Sequence, residues 1–457
     1  MIPTLVLAAV LLAVGDMPAV LPGNLEGRPA LADLSPLQAR VDAAVPGSEL
    51  VVEPGDYRGD LYLERPIRLV GRGRPRLLGS GKGSVVRVRA PGVVVEGFDI
   101  DGLAGGDISA DSSGVHVAFP GAVVRDCRIS NTLFGVYVRE GPGARIEGNV
   151  IRGIPGRDAG EKGSGIHIWN TDGFVFVGND IADARDGIYI QNASHGVIRS
   201  NVARHLRYGL HYMNSDDNLF EDNLFEHSAA GAVLMFSSRI QFRRNRFLHN
   251  RGFASVGLLF KDLSDSVAED NLIADNARGV FLEGASRNIF RRNVLAQSDT
   301  AIVLYGSSTE NRFEGNAFIG NLSPLALYAR RTDTRFDGNY WSDNDAPDLD
   351  GDGHSDRPYT LGSLFDHLRG NLSAADLMAQ SPAALALSAA ERAFPVLQAI
   401  QVADHAPLAR PPALPDVPAP APRGRRLDPW GLAGALSLAG AGLAVLGMGR
   451  RWRWGVE

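Results

Sequence analysis

The sequence predicts an all-β fold, a right-handed parallel β-helix solenoid of about 22 residues per coil, with an N-terminal capping helix and a C-terminal helical tail plus membrane helix. Three observations carry the solenoid. Asn149, Asn179, Asn201, Asn223, Asn245, Asn271, Asn293, Asn316 and Asn339 are separated by 30, 22, 22, 22, 26, 22, 23 and 23 residues. Gly135, Gly165, Gly187, Gly209, Gly231, Gly257 and Gly279 keep step with them, at 30, 22, 22, 22, 26 and 22. Between the markers each unit reads Asn-x-apolar, a turn, then Gly-apolar-x-apolar, as where Asn179-Asp180-Ile181 leads to Gly187-Ile188-Tyr189-Ile190. That alternation means strands, with Ile188 and Ile190 inward and Tyr189 outward. The longer intervals are loop insertions, such as 155–162.

The elements follow in order. Residues 1–23 contain an apolar run from Leu5 to Val14 that suits an export signal and is too short to span a bilayer. No Lys or Arg precedes Arg28, so the usual basic start is missing, and a buried N-terminal segment is the alternative. Ser35 as N-cap and Pro36 at the first helical position predict a short helix before Val41 and Ala44, able to cover the first coil. The β-helix then occupies residues 34–345. Its asparagines are expected to stack in an internal ladder, each amide bonding to the next rung. Cys127 lies 22 residues before Asn149 and takes the ladder position, as a small buried side chain rather than a metal ligand. Being the one cysteine, it excludes a disulfide framework and multi-cysteine metal centres.

Residues 346–405 read as an acidic loop and a helical tail, with Ser373–Val402 helical. Residues 406–429 form a proline-rich linker. Residues 430–449 are uncharged and long enough to cross a bilayer. Trp430 and the Trp452/Trp454 pair suit the two interfaces, and Arg450, Arg451 and Arg453 place the C-terminus in the cytoplasm. Arg423, Arg425 and Arg426 on the other flank weaken that orientation, and a helix packed on a partner is the alternative. With the export signal, the body of the protein lies outside the membrane. The chain has 457 residues, 44% hydrophobic, enough for a large core. Its formal net charge of −6 argues against a nucleic-acid partner.

Equal positions on successive rungs of a parallel β-helix lie about 4.8 Å apart, so the repeat is also a map of the surface. The fourth residue after each rung glycine gives Trp169, Gln191, Met213, Met235, Lys261 and Glu283. The second gives His167, Tyr189, His211, Val233, Leu259 and Phe281. Both columns point outward. Met213 and Met235 are therefore neighbours, with His211 beside them. Two thioethers and an imidazole suit Cu(I) better than Zn, Mg or Ca. The alternative is an apolar patch covered by a partner or by the tail. His205, His227 and His249 form a second column, each four residues after a ladder asparagine. They offer imidazoles to a copper ion, or form a solvated turn stripe. Asp348, Asp350, Asp352 and Asp356 match the start of a calcium loop, but Tyr359 stands at the twelfth position, so this is not a full EF-hand. A structural Ca²⁺ and a plain acidic turn are both compatible with it.

Tyr208-Gly209-Leu210-His211-Tyr212-Met213-x-Ser215, Asn218, Asn223, Phe225 and Ala230-Gly231-Ala232-x-Leu234-Met235-x-Ser237 resemble the NosD family of periplasmic copper-handling proteins. Gly338-Asn339-Tyr340-Trp341, the following Asp-Gly-Asp-Gly stretch with Pro358-Tyr359, and Asp404-His405-Ala406-Pro407-Leu408 resemble it as well, so the likeness covers about residues 35–410. The resemblance implies a non-enzymatic protein. It would be the periplasmic arm of an ABC transporter with a membrane subunit and an ATPase, supplying Cu(I) for the copper–sulfur site of nitrous oxide reductase. A copper-chaperone lipoprotein would be the donor, and the tail would dock on the membrane subunit. The carry-over falls on His211, Met213 and Met235. The C-terminal membrane run departs from the soluble members of that family.

The main rival is a polysaccharide lyase, epimerase or hydrolase, which needs clustered carboxylates or a Lys/Arg base in an outward groove. Lys261 and Glu283 read instead as a cross-rung salt bridge, and Asp186 and Asp216 lie near turns. A carbohydrate-binding solenoid would need an outward aromatic strip, and aromatics make up only 7% of the chain.

Overall fold

Each coil lays down three short strands, and equivalent strands of successive coils pair in parallel. In the computed structural model, which describes residues 34–252, 254–329, 331–361 and 402–417 with isolated positions 381, 386 and 419, this builds three sheets of 15, 13 and 12 strands. We call these the first, second and third sheets. The coil at 197–213 shows the pattern. Its strands Val197–Arg199, Val202–Arg204 and Tyr208–Met213 pair with Leu219–Glu221, Leu224–Glu226 and Ala230–Ser238 of the next coil. The register places Ile198 on Phe220, Ala203 on Phe225 and Leu210 on Ala232, the 22-residue offset read from the sequence.

The inward residues of all three sheets form one continuous core from Leu37 to Val402. Aromatic rings stack along it, Phe220 on Phe242 at 4.7 Å and Phe290 on Phe313 at 4.6 Å. Burying such a ring contributes roughly 1.5–3 kcal/mol, repeated coil after coil. The rung glycines stand at the start of the third-sheet strands, as Gly209 does in Tyr208–Met213. A Cβ at Gly209 would sit 2.6 Å from the Gly231 carbonyl oxygen and 2.8 Å from the Phe225 ring, so only glycine fits.

The asparagine ladder is present. Asn201 donates its backbone N–H and its Nδ2 to Asn223 Oδ1, both at 3.0 Å, and donates Nδ2 again to the Phe176 carbonyl oxygen at 2.9 Å. Cys127 holds the position the spacing assigned to it and donates its backbone N–H to Asn149 Oδ1 at 3.0 Å. Its thiol is buried, which pushes its pKa up to about 12, so it is inert packing. Two further ladders occupy other corners. One runs Ser228, Asn250, Asn276, Ser298, Asn321, and the other Ser266, Asn288, Asn311.

A helix, Gln38–Ala43, covers the first coil. It begins later than the Ser35-Pro36 signal predicts. Leu37 is its N-cap, while Ser35 Oγ accepts from the Leu37 backbone N–H at 3.3 Å. Gln38 closes the open edge of the third sheet, donating to the Tyr62 carbonyl and accepting from its N–H. At the other end the strand Val402–Asp404 adds to the first sheet, antiparallel to Tyr359–Leu361 and beside Phe336. Val402, assigned to a helix by its sequence pattern, is thus in a strand.

Residues 406–409 are fastened to the acidic loop. His354 Nδ1 lies 2.8 Å from the Ala406 carbonyl oxygen, Ser355 donates to Pro407, and Leu408 donates to the Asn339 carbonyl. Val417 packs on an apolar strip outside the second sheet that includes Leu272, Val294 and Ala317. The start of the proline-rich segment therefore lies on the solenoid. The export signal, the rest of the helical tail and the membrane run at 430–449 lie outside the described residues. Among those described, no helix is long and apolar enough to cross a membrane.

Candidate metal site

Three strands of the third sheet carry the site: Asp186–Ser194, Tyr208–Met213 and Ala230–Ser238. Strand parity sends Ile188, Ile190, Leu210 and Tyr212 into the core and their alternates outward. Tyr189, His211 and Val233 are register partners in one outward column, and Gln191, Met213 and Met235 in the next. Met213 thus stacks on Met235 with His211 two residues away on the same face, the constellation read from the repeat.

These outward residues are not exposed. His211 is 5% exposed and Met235 3%, while Met213 is half-buried. Both methionines join an apolar cluster outside the main core, with Tyr208, Val233, Phe281 and Val303. The Tyr189 hydroxyl donates to Gln191 Oε1 at 2.7 Å and lies 3.5 Å from Met213 Sδ. The rings of Tyr189 and Tyr208 meet His211 edge-on, with centroids 4.7 and 5.3 Å away.

Asp186 and Arg207 complete the arrangement, and the column argument missed both. Asp186 is fully buried and accepts two bonds from Arg207, Nε to Oδ1 at 2.8 Å and Nη2 to Oδ2 at 2.6 Å. The same Oδ2 lies 3.2 Å from His211 Nδ1. Burial alone would raise the Asp186 pKa, but hydrogen bonds from His211 and Arg207 hold it well below the usual carboxylate range. Burial pushes the His211 imidazole below its ordinary value, against the pull of Asp186. His211 Nε2 is buried and makes no hydrogen bond within the protein. A neutral imidazole with a free Nε2 and two thioethers beside it is a neutral, soft donor set, and these residues fit a Cu(I) ion. The only available signal for Asp186 was its place one residue before a rung glycine.

The column extends further than the sequence reading took it. His116, Tyr137, His167 and Tyr189 stack face to face at 5.5, 4.5 and 4.3 Å, leading to His211. His205, His227 and His249 also stack, at 5.5 and 4.9 Å with planes 14° apart. Their in-plane lone pairs run side by side rather than converging on one point. His249 Nδ1 lies 2.8 Å from Asp275 Oδ2, so it too is oriented by a carboxylate.

Asp348, Asp350 and Asp352 bring their carboxylate oxygens within 4.8 Å of one another. Asp356 is not part of that group and accepts from the Leu349 N–H at 2.7 Å. Lys261 and Glu283 form the cross-rung salt bridge read from the sequence, at 2.7 Å. Asp216 is engaged by Arg239.

Comparison with known proteins bears on these same coils. Residues 152–346 match the family model described as "Periplasmic copper-binding protein (NosD)", and residues 84–216 match "Right handed beta helix region". The chain is 30% identical over 127 residues to the "Probable ABC transporter binding protein NosD" of Pseudomonas aeruginosa, covering 27% of this chain and 29% of that protein. It is 31% identical over 121 residues to the protein of the same name from Stutzerimonas stutzeri, covering 26% and 28%. The match thus spans less than a third of the length of either relative. Among solved structures, a PL6 alginate lyase complexed with a trisaccharide aligns with a TM-score of 0.50 at 13% identity, covering 67% of this chain and 82% of the lyase. The alginate lyase AlyF-OU02 aligns with a TM-score of 0.50 at 14% identity, covering 66% and 81%. At such identities the likeness is one of fold alone. Asp186, His211, Met213 and Met235 all fall inside the matched segment 152–346, and it is the NosD family that these central coils resemble.

Proposed function

We propose that this chain is the periplasmic Cu(I)-binding and docking component of an ABC transporter complex, and that it supplies copper for the copper–sulfur site of nitrous oxide reductase. It performs no catalysis of its own. His211, Met213 and Met235 hold the ion, which is cargo rather than a resident cofactor. A copper-chaperone lipoprotein delivers it, the membrane subunit and ATPase of the transporter receive the docked chain, and the segment 430–449 anchors it in the inner membrane.

The observation that carries the reading is the register pairing of Met213 with Met235 beside His211, whose Nε2 is buried and unbonded. The resemblance to proteins described as copper-binding and as transporter binding proteins supports it. His205, His227 and His249 are an outlying row of imidazoles that would meet copper on its way to or from the site. A structural Ca²⁺ on Asp348, Asp350 and Asp352 would fasten the loop that grips residues 406–409.

The test is an anaerobic Cu(I) competition titration of the full chain, with X-ray absorption on the loaded protein. Sulfur and nitrogen scatterers around one copper are expected, with binding lost in Met213→Leu/Met235→Leu. Wild-type affinity in that double variant would refute the site. Absence of binding in the wild type would make the methionine pair part of a partner-facing apolar patch.

A further inference from the structure

We infer that Asp186, clamped by Arg207, is the positioning residue that presents His211 Nε2 to a soft monovalent cation, and that the clamp discriminates against divalent ions. The inference rests on the reading of His211, Met213 and Met235 as the Cu(I) site.

An ionised carboxylate only accepts. Arg207 fills one side of Asp186 with two parallel bonds, and this planar fork fixes the carboxylate in orientation. Two further groups approach Oδ2: His211 Nδ1 at 3.2 Å and the guanidinium Nε of Arg185 at 3.4 Å. Nδ1 lies closer to this carboxylate oxygen than to Arg207 Nη2, which is 3.5 Å away, so we assign the proton to Nδ1 and leave the Nε2 lone pair available. Nε2 is buried and finds no partner in the protein. The edge-on rings of Tyr189 and Tyr208 hold the imidazole plane in place. This is how a carboxylate orients a metal-ligating histidine.

Charge provides the selectivity. Arg207 and Arg185 together more than neutralise Asp186, and the neighbouring Lys261 and Glu283 neutralise each other at 2.7 Å. The donors themselves are uncharged. A buried ion therefore keeps its full charge, and the desolvation cost of an ion grows steeply with that charge. A monovalent soft ion is accommodated where a divalent ion, lacking a carboxylate ligand, is not.

The test uses the full chain, labelled with ¹⁵N-histidine and free of metal, and Ag⁺ as a redox-inert probe. The His211 signals, assigned by their loss in His211→Gln, should report a proton on Nδ1. In Asp186→Asn the proton should redistribute towards Nε2, and Ag⁺ affinity should fall about 10–100-fold. Zn²⁺ should fail to displace Ag⁺ from the wild type. A wild-type His211 protonated on Nε2 overturns the inference, and this measurement decides even if Asp186→Asn does not fold. Equal Ag⁺ affinity in wild type and Asp186→Asn, with affinity lost in Met213→Leu/Met235→Leu, overturns the inference and leaves the copper reading standing. No Ag⁺ binding by the wild type overturns both.

Discussion

Asp404 stands where the ladder would place its next asparagine. Its Oδ2 accepts from both the backbone N–H and the Nδ2 of Asn339 at 2.9 Å, the two bonds that each ladder asparagine receives from the one before it. Gly338 and Ala406 N–H donate to its other oxygen, and Trp341 Nε1 donates to Oδ2 at 3.2 Å. An asparagine offers only one acceptor oxygen, so the carboxylate is what satisfies this crowd of donors. Asp404→Asn should cost about 1 kcal/mol of stability. Asp404→Ala, which orphans several buried donors, should cost about 2–3 kcal/mol. Urea midpoints of the two variants would check the order, and equal midpoints would refute it.

Phe236 occupies a column of left-handed turn residues. Asn170, Asn192, Asn214, Asp262 and Gly284 hold φ between 49° and 63°, and Phe236 holds φ 53° with half of its surface exposed. Asparagine, aspartate and glycine tolerate this region and a bulky aromatic does not. Phe236→Asn should therefore stabilise the chain by about 0.5–1 kcal/mol. A lower melting temperature in the variant would show that the ring's packing outweighs the strain.

His116, half-buried, and His167, buried, are neutral, and removal from water brings each down to a pKa of about 3 from an ordinary 6.5. Below 6.5 the unfolded chain takes up protons that the folded chain refuses, so stability falls as pH drops towards 3. Each ring should add a slope of up to about 1.4 kcal/mol per pH unit in that window. Asp186, held low, adds its own loss only as pH falls below the ordinary carboxylate value of 3.8. His167→Phe, which keeps the stack between Tyr137 and Tyr189, should flatten the stability–pH curve between pH 6 and 4 by about one ring's share. An unchanged slope would exclude a neutral buried His167.

The acidic loop should respond to Ca²⁺. Adding the ion at a hundred times its dissociation constant should raise stability by about 2.7 kcal/mol, and Asp350→Asn/Asp352→Asn should remove the gain. An equal rise in the variant would mean the ion acts elsewhere.

The coil period, the inward and outward faces, the ladder and the Met213–Met235 neighbourhood were legible because each depends on one offset, applied rung after rung. Asp186 and Arg207 were not, because Asp186 reaches His211 diagonally from the preceding rung and Arg207 from just before the strand, and no periodic pattern marks either contact. The mixed serine–asparagine ladders escaped because either side chain can fill a rung, so neither residue type recurs strictly. The strand at 402–404 was hidden by distance, since its partner Phe336 lies far back in the chain and Val402 continues an apolar pattern that reads as helical. That outward positions such as His211 and Met235 would be buried could not be read from alternation, which gives facing and not cover.

The C-terminal clasp also has a mechanical meaning. Past Asp404 and residues 406–409, which the acidic loop grips, the chain stays on the solenoid as far as Val417. Tension applied at the C-terminal end would reach the body through this clasp before it loaded any complete coil. The first elements to yield would be the Val417 contact, then the grip of His354 and Ser355 and the Phe336–Asp404 pairing, while the rungs that carry His211, Met213 and Met235, more than 100 positions upstream, would be loaded only after these.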